Sequence, residues 1–303
     1  MNGRVVDPTD APVAGASVVV RHTETNARYP AQTDSSGNYT APFLPPGTYA
    51  ITVELRGFKK AVLEGVQLSV GQVATLDFRL ELGATTQEVT VTAEAPLLEQ
   101  SNADRGGLID EQSVKEYPLN ARNPLMLAGL VEGVDYNGSL AYQRPFDNGA
   151  LADWSINGSG NRNNEFLLDG APNNAQAGGN NLAYVPPVDS VLEFKIQTNS
   201  YDAQYGKSGG GVVNVVLKSG GNRFHGSLYE FARRNGWDAN SFQNNARGAP
   251  RDGHYLDQYG VQLDGPLVLP KLYHGRNRTF FLFNYEGYRE GTPQPLILSV
   301  PAP

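Results

Sequence analysis

Hydrophobic and polar positions follow three successive patterns along the chain. Up to residue 82 the apolar residues come in short runs: Gly3–Val6, Ser17–Thr23 with Val18, Val19 and Val20, Tyr39–Phe43, and Thr48–Leu55 with alternating Tyr49, Ile51, Val53 and Leu55. Val73–Leu82, with Val73, Leu76, Phe78, Leu80 and Leu82, closes the unit. The segments between are turn chemistry: Asp7-Pro8-Thr9-Asp10, Asp34-Ser35-Ser36-Gly37-Asn38, Leu44-Pro45-Pro46-Gly47 and Arg56-Gly57-Phe58. About seven short strands with a turn every 8–12 residues or so predict a two-sheet β-sandwich over 1–82.

Residues 101–219 mix periods. Asp110–Lys115 predicts a helical turn with Ile109 and Val114 inward, and Leu125–Leu130 a short apolar helix ending at Gly133. Trp154–Asn164 and then Glu165–Gly170 predict a pair of strands. Phe166, Leu167 and Leu168 pack inside, and Asp169-Gly170 makes the tight turn. Asn- and Gly-rich sequence up to Leu182 predicts an exposed loop. Val188–Thr198, with Val191, Phe194 and Ile196, and Gly211–Lys218, where Asn214 is the polar residue among valines, predict two buried strands. Tyr205-Gly206-Lys207-Ser208-Gly209-Gly210-Gly211 joins them and allows a sharp turn or a close backbone approach.

From residue 220 the runs lengthen. His225–Arg233, Gln258–Leu269 and Thr279–Tyr288 are aromatic-rich, alternating runs of about ten residues, the period of outer-membrane barrel strands. Residues 235–257 then form a first long loop. Three strands do not close a barrel, and an open edge cannot sit in lipid. The chain also opens inside its first strand with no apolar leader. Both features lead us to expect a segment of a longer protein, cut at each end. Between the first two patterns, residues 83–100 read as a linker. Within it Glu88-Val89-Thr90-Val91-Thr92-Ala93 has strong strand propensity and ends near Pro96. Two readings stay open: an unpaired strand for a partner's sheet edge to capture, or an extra strand of a neighbouring unit.

Composition narrows the function classes. The chain has 303 residues, which suggests roughly two domains. A net charge of −7 argues against a nucleic-acid face. Charged residues make up 18 %, below the roughly 25 % of soluble domains, and 34 Gly, 15 Tyr and 12 Phe fit a turn-rich β protein. Zero Cys excludes disulfides and thiol chemistry.

Catalytic patterns fail on context. Gly206-Lys207-Ser208-Gly209-Gly210 matches G-x-S-x-G, but a nucleophile elbow needs a following helix and a Val-rich strand follows instead. A P-loop would need glycine at 201, where Tyr201 stands. His22, His225, His254 and His274 show no zinc spacing. Asp238, Asp252 and Asp257 are candidate calcium ligands in a loop, with solvated carboxylates the plainer reading. We therefore expect no enzyme, no cofactor and no metal.

Specific motifs carry family resemblances. Gly3-Arg4-Val5-Val6-Asp7, Pro12-Val13-Ala14-Gly15-Ala16-Ser17-Val18, Thr33–Tyr39 and Leu44–Tyr49 resemble the carboxypeptidase-regulatory-like (transthyretin-like) domain over nearly all of 1–82. That resemblance implies a fold related to carbohydrate-binding modules. Tyr29, Tyr39, Phe43, Tyr49 and Phe58 are then either a stacking surface or ordinary core and turn aromatics. Pro187, Val191, Phe194 and Ile196, followed by Tyr205-Gly206, Gly210-Gly211-Val212-Val213-Asn214-Val215 and Lys218, resemble the end of the plug domain of TonB-dependent outer-membrane receptors. Ile156–Gly158 with Phe166–Gly170 resembles an earlier strand pair of that plug. Leu119–Arg122 and Val131–Val134 resemble its helical segment, with Glu132 where the family has proline. Glu88–Ala93 resembles the TonB box.

The Oar-like subgroup of these receptors joins such a sandwich to plug and barrel. The resemblance implies a mainly β chain: a transthyretin-like seven-stranded β-sandwich (1–82), a linker with the TonB-box-like segment (83–100), an α+β plug (101–219) and the first antiparallel strands of an incomplete outer-membrane β-barrel (220–303). It further implies an outer-membrane location with a periplasmic N-terminal unit, TonB as a partner acting by strand addition, outer-membrane lipid, and an unidentified extracellular ligand. The alternative is a cell-surface carbohydrate-binding or adhesion module built on the sandwich.

Overall fold

The computed structural model describes residues 1–84, 88–92, 105–119, 122–137, 153–175, 181–199, 204–206, 209–251 and 253–291. The architecture is mainly β with few helices.

In the N-terminal unit, β1 (Asn2–Val6), β2 (Ser17–His22), β3 (Arg28–Gln32), β4 (Asn38–Thr40), β5 (Gly47–Glu54), β6 (Lys60–Leu68) and β7 (Phe78–Arg79) are followed by β8 (Glu88–Thr92). One sheet has the order β4-β1-β7, the other β3-β2-β5-β6-β8. Val5, Tyr39 and Phe78 of the first meet Val18, Val20, Tyr49, Ile51, Val53, Val66 and Leu68 of the second in one core. Each such side chain contributes roughly 1.5–3 kcal/mol by leaving water. One expectation is corrected. Residues 73–82 are not a continuous strand: only Phe78 and Arg79 pair with Val5 and Val6, and single bridges lie at Thr75 and Leu82. Ala74, Leu76, Phe78 and Leu80 are the buried set, while Val73 and Leu82 are exposed. Residues 88–92, open in sequence to an unpaired strand or an extra strand of a neighbouring unit, form β8, which pairs in parallel with β6, from Lys60↔Glu88 to Glu64↔Thr92.

The central unit comprises β9 (Arg105–Ile109), α1 (Glu111–Glu116), β10 (Val134–Tyr136), β11 (Trp154–Ile156), β12 (Glu165–Leu168), β13 (Ala171–Pro172), β14 (Asn174–Ala175), β15 (Asn181–Leu182), β16 (Val191–Asn199) and β17 (Val212–Leu217). Its main sheet has the order β13-β12-β17-β16-β9, with β12 and β17 parallel. α1 starts at Asp110, whose side chain accepts from Ser113 N at 2.8 Å, and gains an i,i+4 pair between Glu111 and Lys115 at 2.6 Å. Pro124–Leu130 is a 3₁₀ turn capped by Asn123. Ile109, Val114, Leu125, Trp154, Phe166, Val191, Phe194, Ile196, Val213 and Val215 close one core.

The last unit is one antiparallel sheet, β18-β19-β22, from β18 (His225–Arg234), β19 (Tyr255–Pro266) and β22 (Phe280–Gly291). α2 (Phe242–Arg247) lies in the connection between β18 and β19, while the hairpin of β20 (Val268–Leu269) and β21 (Tyr273–His274) lies between β19 and β22.

Candidate functional site

The β18-β19-β22 sheet is polarised opposite to a soluble one. Register aligns Leu228, Val261 and Tyr285, and next to them Leu263 with Phe283, on one face. Leu228 is 86 % exposed, and Leu263, Phe283 and Tyr285 are exposed too. The other face aligns Ser227, Gln262 and Asn284, then Tyr229, Gly260 and Glu286, then Phe231, Gln258 and Tyr288. There Gln258, Gln262 and Asp264 are buried. Apolar residues outward and polar residues inward is the alternation of a barrel wall in lipid.

The polar face meets the central unit at Arg122. Its Nη2 donates to Asp189 Oδ2 at 2.5 Å, with side chains 15 % and 16 % exposed. Its guanidinium also lies 4.1 Å from the Phe231 ring centre and 4.7 Å from that of Tyr229. Tyr229 OH donates to Glu286 at 2.8 Å, and Ser227 Oγ reaches Asp189 at 3.5 Å. A planar guanidinium can fork to a carboxylate while stacking on rings, which an ammonium cannot. Beside it Lys218 Nζ donates to the Asp189 carbonyl at 2.7 Å and pairs with Glu111 at 3.3 Å. Burial pulls the Lys218 pKa down, and Glu111 and Asp189 oppose that shift.

The N-terminal unit touches both others. Glu193 of β16 accepts from Val70 N at 2.5 Å, and burial pushes its carboxyl above the usual carboxylate range. Asn222 donates to the Glu24 carbonyl from its N–H and from its side chain, both at 3.0 Å. Asn277 Oδ1 accepts from Asn26 and Asn222, each at 2.8 Å. The Glu193 end of β16 therefore faces the N-terminal unit. Asn199 ends the same strand about 20 Å further on.

The residues singled out from sequence fall in three places. Asp169 (φ 50°) and Gly170 (φ 77°) form the β12–β13 turn, where both central residues need a left-handed backbone. Asp169 Oδ1 also accepts from Leu217 N at 2.9 Å, and Asn214 Oδ1 from Gly170 N at 3.3 Å. Thus Asp169, Gly170 and Asn214 act together to tie β12 to β17. Gly210 and Gly211 lie at the opposite end, against Asn163 and Asn164; a Cβ on Gly211 would sit 2.6 Å from Ile156 and 2.9 Å from the Gln197 carbonyl. Tyr205 and Gly206 stand apart from this turn in the chain, and Lys207 and Ser208 lie outside the described residues, as does Ala93. Glu88, Val89, Thr90, Val91 and Thr92 form β8.

The aromatics named for stacking are divided. Tyr39 and Tyr49 are in the core, Tyr29 and Phe58 pack partly against it, and Phe43 stands in solvent. Asp238 pairs with Arg233 and His254, and Asp257 with Arg234, while Asp252 lies outside the described residues. Among the described residues no three acidic, His or Cys side chains are grouped to hold a metal ion. Sequence reasoning missed the Arg122–Asp189 contact, because its members lie 67 positions apart; the one local signal was an arginine just after Pro118 and Leu119.

The comparisons with known proteins agree with this polarity. The carboxypeptidase regulatory-like domain family matches residues 1–81, and an outer membrane β-barrel domain family matches residues 216–303. The TonB-dependent transporter Oar of Myxococcus xanthus is 28 % identical over 282 residues, covering 89 % of this chain and 25 % of Oar. The chain thus spans about a quarter of the length of that curated relative. Two solved structures are also similar. The siderophore receptor PirA from Pseudomonas aeruginosa has 18 % identity over 63 % of this chain and 28 % of its own, with a TM-score of 0.38. PirA from Acinetobacter baumannii has 21 % identity over 59 % and 24 %, with a TM-score of 0.37. These relatives are transporters and receptors, not enzymes. With a regulatory-like domain match at one end, an outer membrane β-barrel domain match at the other and sequence likeness along most of its length, this chain is an outer-membrane protein similar to the TonB-dependent transporter Oar.

Proposed function

We propose that this chain contributes the periplasmic unit (1–82), the coupling segment (83–100), the plug (101–219) and the first barrel strands (220–303) of a receptor that gates energy-coupled uptake of an extracellular ligand. The observation that carries this reading is the burial of the polar face of β18-β19-β22, which meets the central unit at Arg122 and Asp189, with its apolar face left outward. A soluble module would bury the other face.

The mechanism follows from connectivity. TonB binds the Glu88–Ala93 segment from the periplasm by strand addition. Residues 93–104 join β8 to β9, and among the described residues β9 is an edge strand of the plug sheet, paired with β16. Tension on β8 therefore reaches the plug at an edge. The ligand side is the Asn199 and Gly210 end, where Asn157, Ser159, Thr198 and Asn199 line an open cleft. The Arg122–Asp189 contact holds the plug to the wall until that tension arrives. Against the carbohydrate-binding alternative stands the placement of Tyr39 and Tyr49, two of its five named aromatics, in the core.

Binding to the purified periplasmic domain of TonB tests the assignment. Val91→Pro removes a main-chain donor from β8, and we expect its affinity to fall at least tenfold. Binding equal to that of the unaltered chain would remove residues 88–93 from the coupling role.

A further inference from the structure

Beyond β19 and β22 the wall continues into a hairpin that carries charge of one sign. Residues 267–279 hold Lys271, Arg276 and Arg278, with His274, and neither Asp nor Glu, in a chain whose net charge is −7. All four side chains are exposed. Among the described residues, Lys271, Arg276 and Arg278 form no ion pair. The apolar residues of the same hairpin are exposed as well: Val268, Leu269 and Tyr273, with Leu272 at 85 %. Exposed apolar side chains grouped with cations, and without anions, suit a surface that offers hydrocarbon and negative charge together.

The hairpin is built firmly onto the wall. Leu267 N donates to the Thr279 carbonyl at 2.9 Å, Gly275 N to the Leu267 carbonyl at 2.9 Å, and Thr279 N to the Gly275 carbonyl at 2.8 Å. Val268 pairs with His274 and Leu269 with Tyr273, and Lys271, in a left-handed conformation (φ 64°), stands in the turn between them. Next to the hairpin in the wall, the ring centres of Phe224 and Phe281 lie 6.4 Å apart, and Phe281 shares the outward face of Phe283. Aromatic rings at this level mark where hydrocarbon gives way to headgroups. At the hairpin's base Asn277 Oδ1 accepts from Asn26 and Asn222, and Asn277 N donates to Asn222 Oδ1 at 2.7 Å. The hairpin thus sits at the end of the wall that meets the N-terminal unit, opposite the end formed by Arg234, Tyr255 and Gly291.

We propose that the β20–β21 hairpin binds anionic phospholipid of the leaflet on the N-terminal unit's side of the membrane. Leu269 and Leu272 enter the acyl boundary, and Lys271, Arg276 and Arg278 hold phosphate headgroups. The occupant follows from continuity with the outward apolar face of β18-β19-β22 and from charge complementarity. A soluble anion would need no apolar residues beside the cations, and a neutral lipid would need no cations. This inference rests on the reading of β18-β19-β22 as a barrel wall in lipid. Because Asn277 also fastens the N-terminal unit, lipid held here would set the level at which that unit rides against the membrane.

Flotation of the 303-residue chain, diluted from mild detergent into vesicles, tests the site. One set of vesicles is phosphatidylcholine alone, the other an equal mixture of phosphatidylcholine and phosphatidylglycerol. Each basic side chain near an anionic surface strengthens binding about fivefold, so the three together should favour the mixed vesicles about a hundredfold. Lys271→Gln, Arg276→Gln and Arg278→Gln together should remove most of that preference and leave binding to phosphatidylcholine unchanged. A second triple variant, Arg28→Gln, Arg56→Gln and Arg247→Gln, changes net charge equally at exposed positions elsewhere and should keep the preference. Equal loss in both variants would make the effect one of net charge and overturn the site. Equal binding of the unaltered chain to both vesicles would overturn it too. Release from the mixed vesicles by glycerol phosphate at constant ionic strength would assign the cations to a soluble anion. Dimerisation without vesicles, lost in the first triple variant, would assign the hairpin to a second copy; either result overturns the lipid site. A chain that floats with neither vesicle would instead sink the barrel-wall reading, and the hairpin site with it.

Discussion

Replacing Arg122 with alanine tests whether the contact between the central unit and the β18-β19-β22 sheet is an energetic link. Among the described residues, Asp189 would keep the Ser227 hydroxyl, at 3.5 Å, as its side-chain hydrogen-bond partner. Removing one member of a buried ion pair costs about 3–5 kcal/mol. These side chains are 15 % and 16 % exposed, so the low end, about 3 kcal/mol, applies. Losing the stacking on Tyr229 and Phe231 adds about 1 kcal/mol. Removing Arg122 Nε, buried without a hydrogen-bond partner, returns about 1 kcal/mol. The net expectation is about 3 kcal/mol. Trp154 is 1 % exposed in the central core and Trp237 is 75 % exposed in a connection. A Trp237→Phe background therefore makes Trp154 fluorescence a reporter of the central unit. With a urea slope of about 2 kcal/mol per M, the midpoint in mild detergent should fall by about 1.5 M. The double variant with Asp189→Ala should lose much less than the sum of the two single losses, because no charge is left unpaired. A midpoint shift below about 0.3 M, or strictly additive losses, would refute the link.

Two further outcomes follow from the packing. Gly211→Val would drive a side chain into Ile156 and the Gln197 carbonyl; overpacking of this kind costs about 2–3 kcal/mol, and an unchanged Trp154 midpoint would contradict the close approach. His22 is buried against Tyr49, with ring centroids 5.0 Å apart, and burial holds its pKa below the ordinary 6.5 despite the opposing charge of Glu24. Its folded state disfavours the proton, so the stability it contributes is present above pH 6.5 and is lost as pH falls through the lowered folded value. Thermal unfolding from pH 7 to 5 should therefore decline more steeply for the unaltered chain than for His22→Phe, and parallel curves would refute that role. Glu193 has the opposite sign, since its raised pKa favours the folded state as pH falls, so the difference between the two curves isolates His22.

Elements with local signals were legible. Asp169-Gly170 marks a turn that needs two left-handed residues, and Val212–Leu217 marks a strand covered on both sides. β6 was not legible, because its core-facing positions switch. Ala61 and Leu63 pack on the core before Glu64-Gly65, and Val66 and Leu68 after it, so the period of two breaks at a bulge. Pro30 likewise hid β3, since proline is tolerated only on an edge and the sequence does not say which strand is the edge. Arg122 was readable as a residue but not as a contact. Its partners Asp189, Tyr229 and Phe231 come from two other units, and only the tertiary arrangement brings them to one guanidinium.

The pairing directions bear on how a pull would be shared on the proposed mechanism. β8 is held to β6 by five successive register pairs in parallel, so a load along the strand must shear them together. β9 is entered at Arg105, which pairs with Asn199 at the end of β16 remote from the N-terminal unit, and runs back to Ile109 opposite Phe194. β8 ends at Thr92 and β9 begins at Arg105, so a load passed along the chain enters β9 at Arg105. Tension at Arg105 then doubles back along β9 and breaks its ladder one rung at a time. Gly106 and Gly107 add little side-chain burial to that ladder, and both are needed there: a Cβ on Gly106 would lie 1.7 Å from the Ile196 carbonyl, and one on Gly107 2.7 Å from Val131. The glycines that let β9 close the sheet edge also leave it little side-chain burial to resist peeling. A sheared β6–β8 pair should outlast an unzipped β9–β16 pair, so the plug would open at β9 while the N-terminal unit stays on its strand.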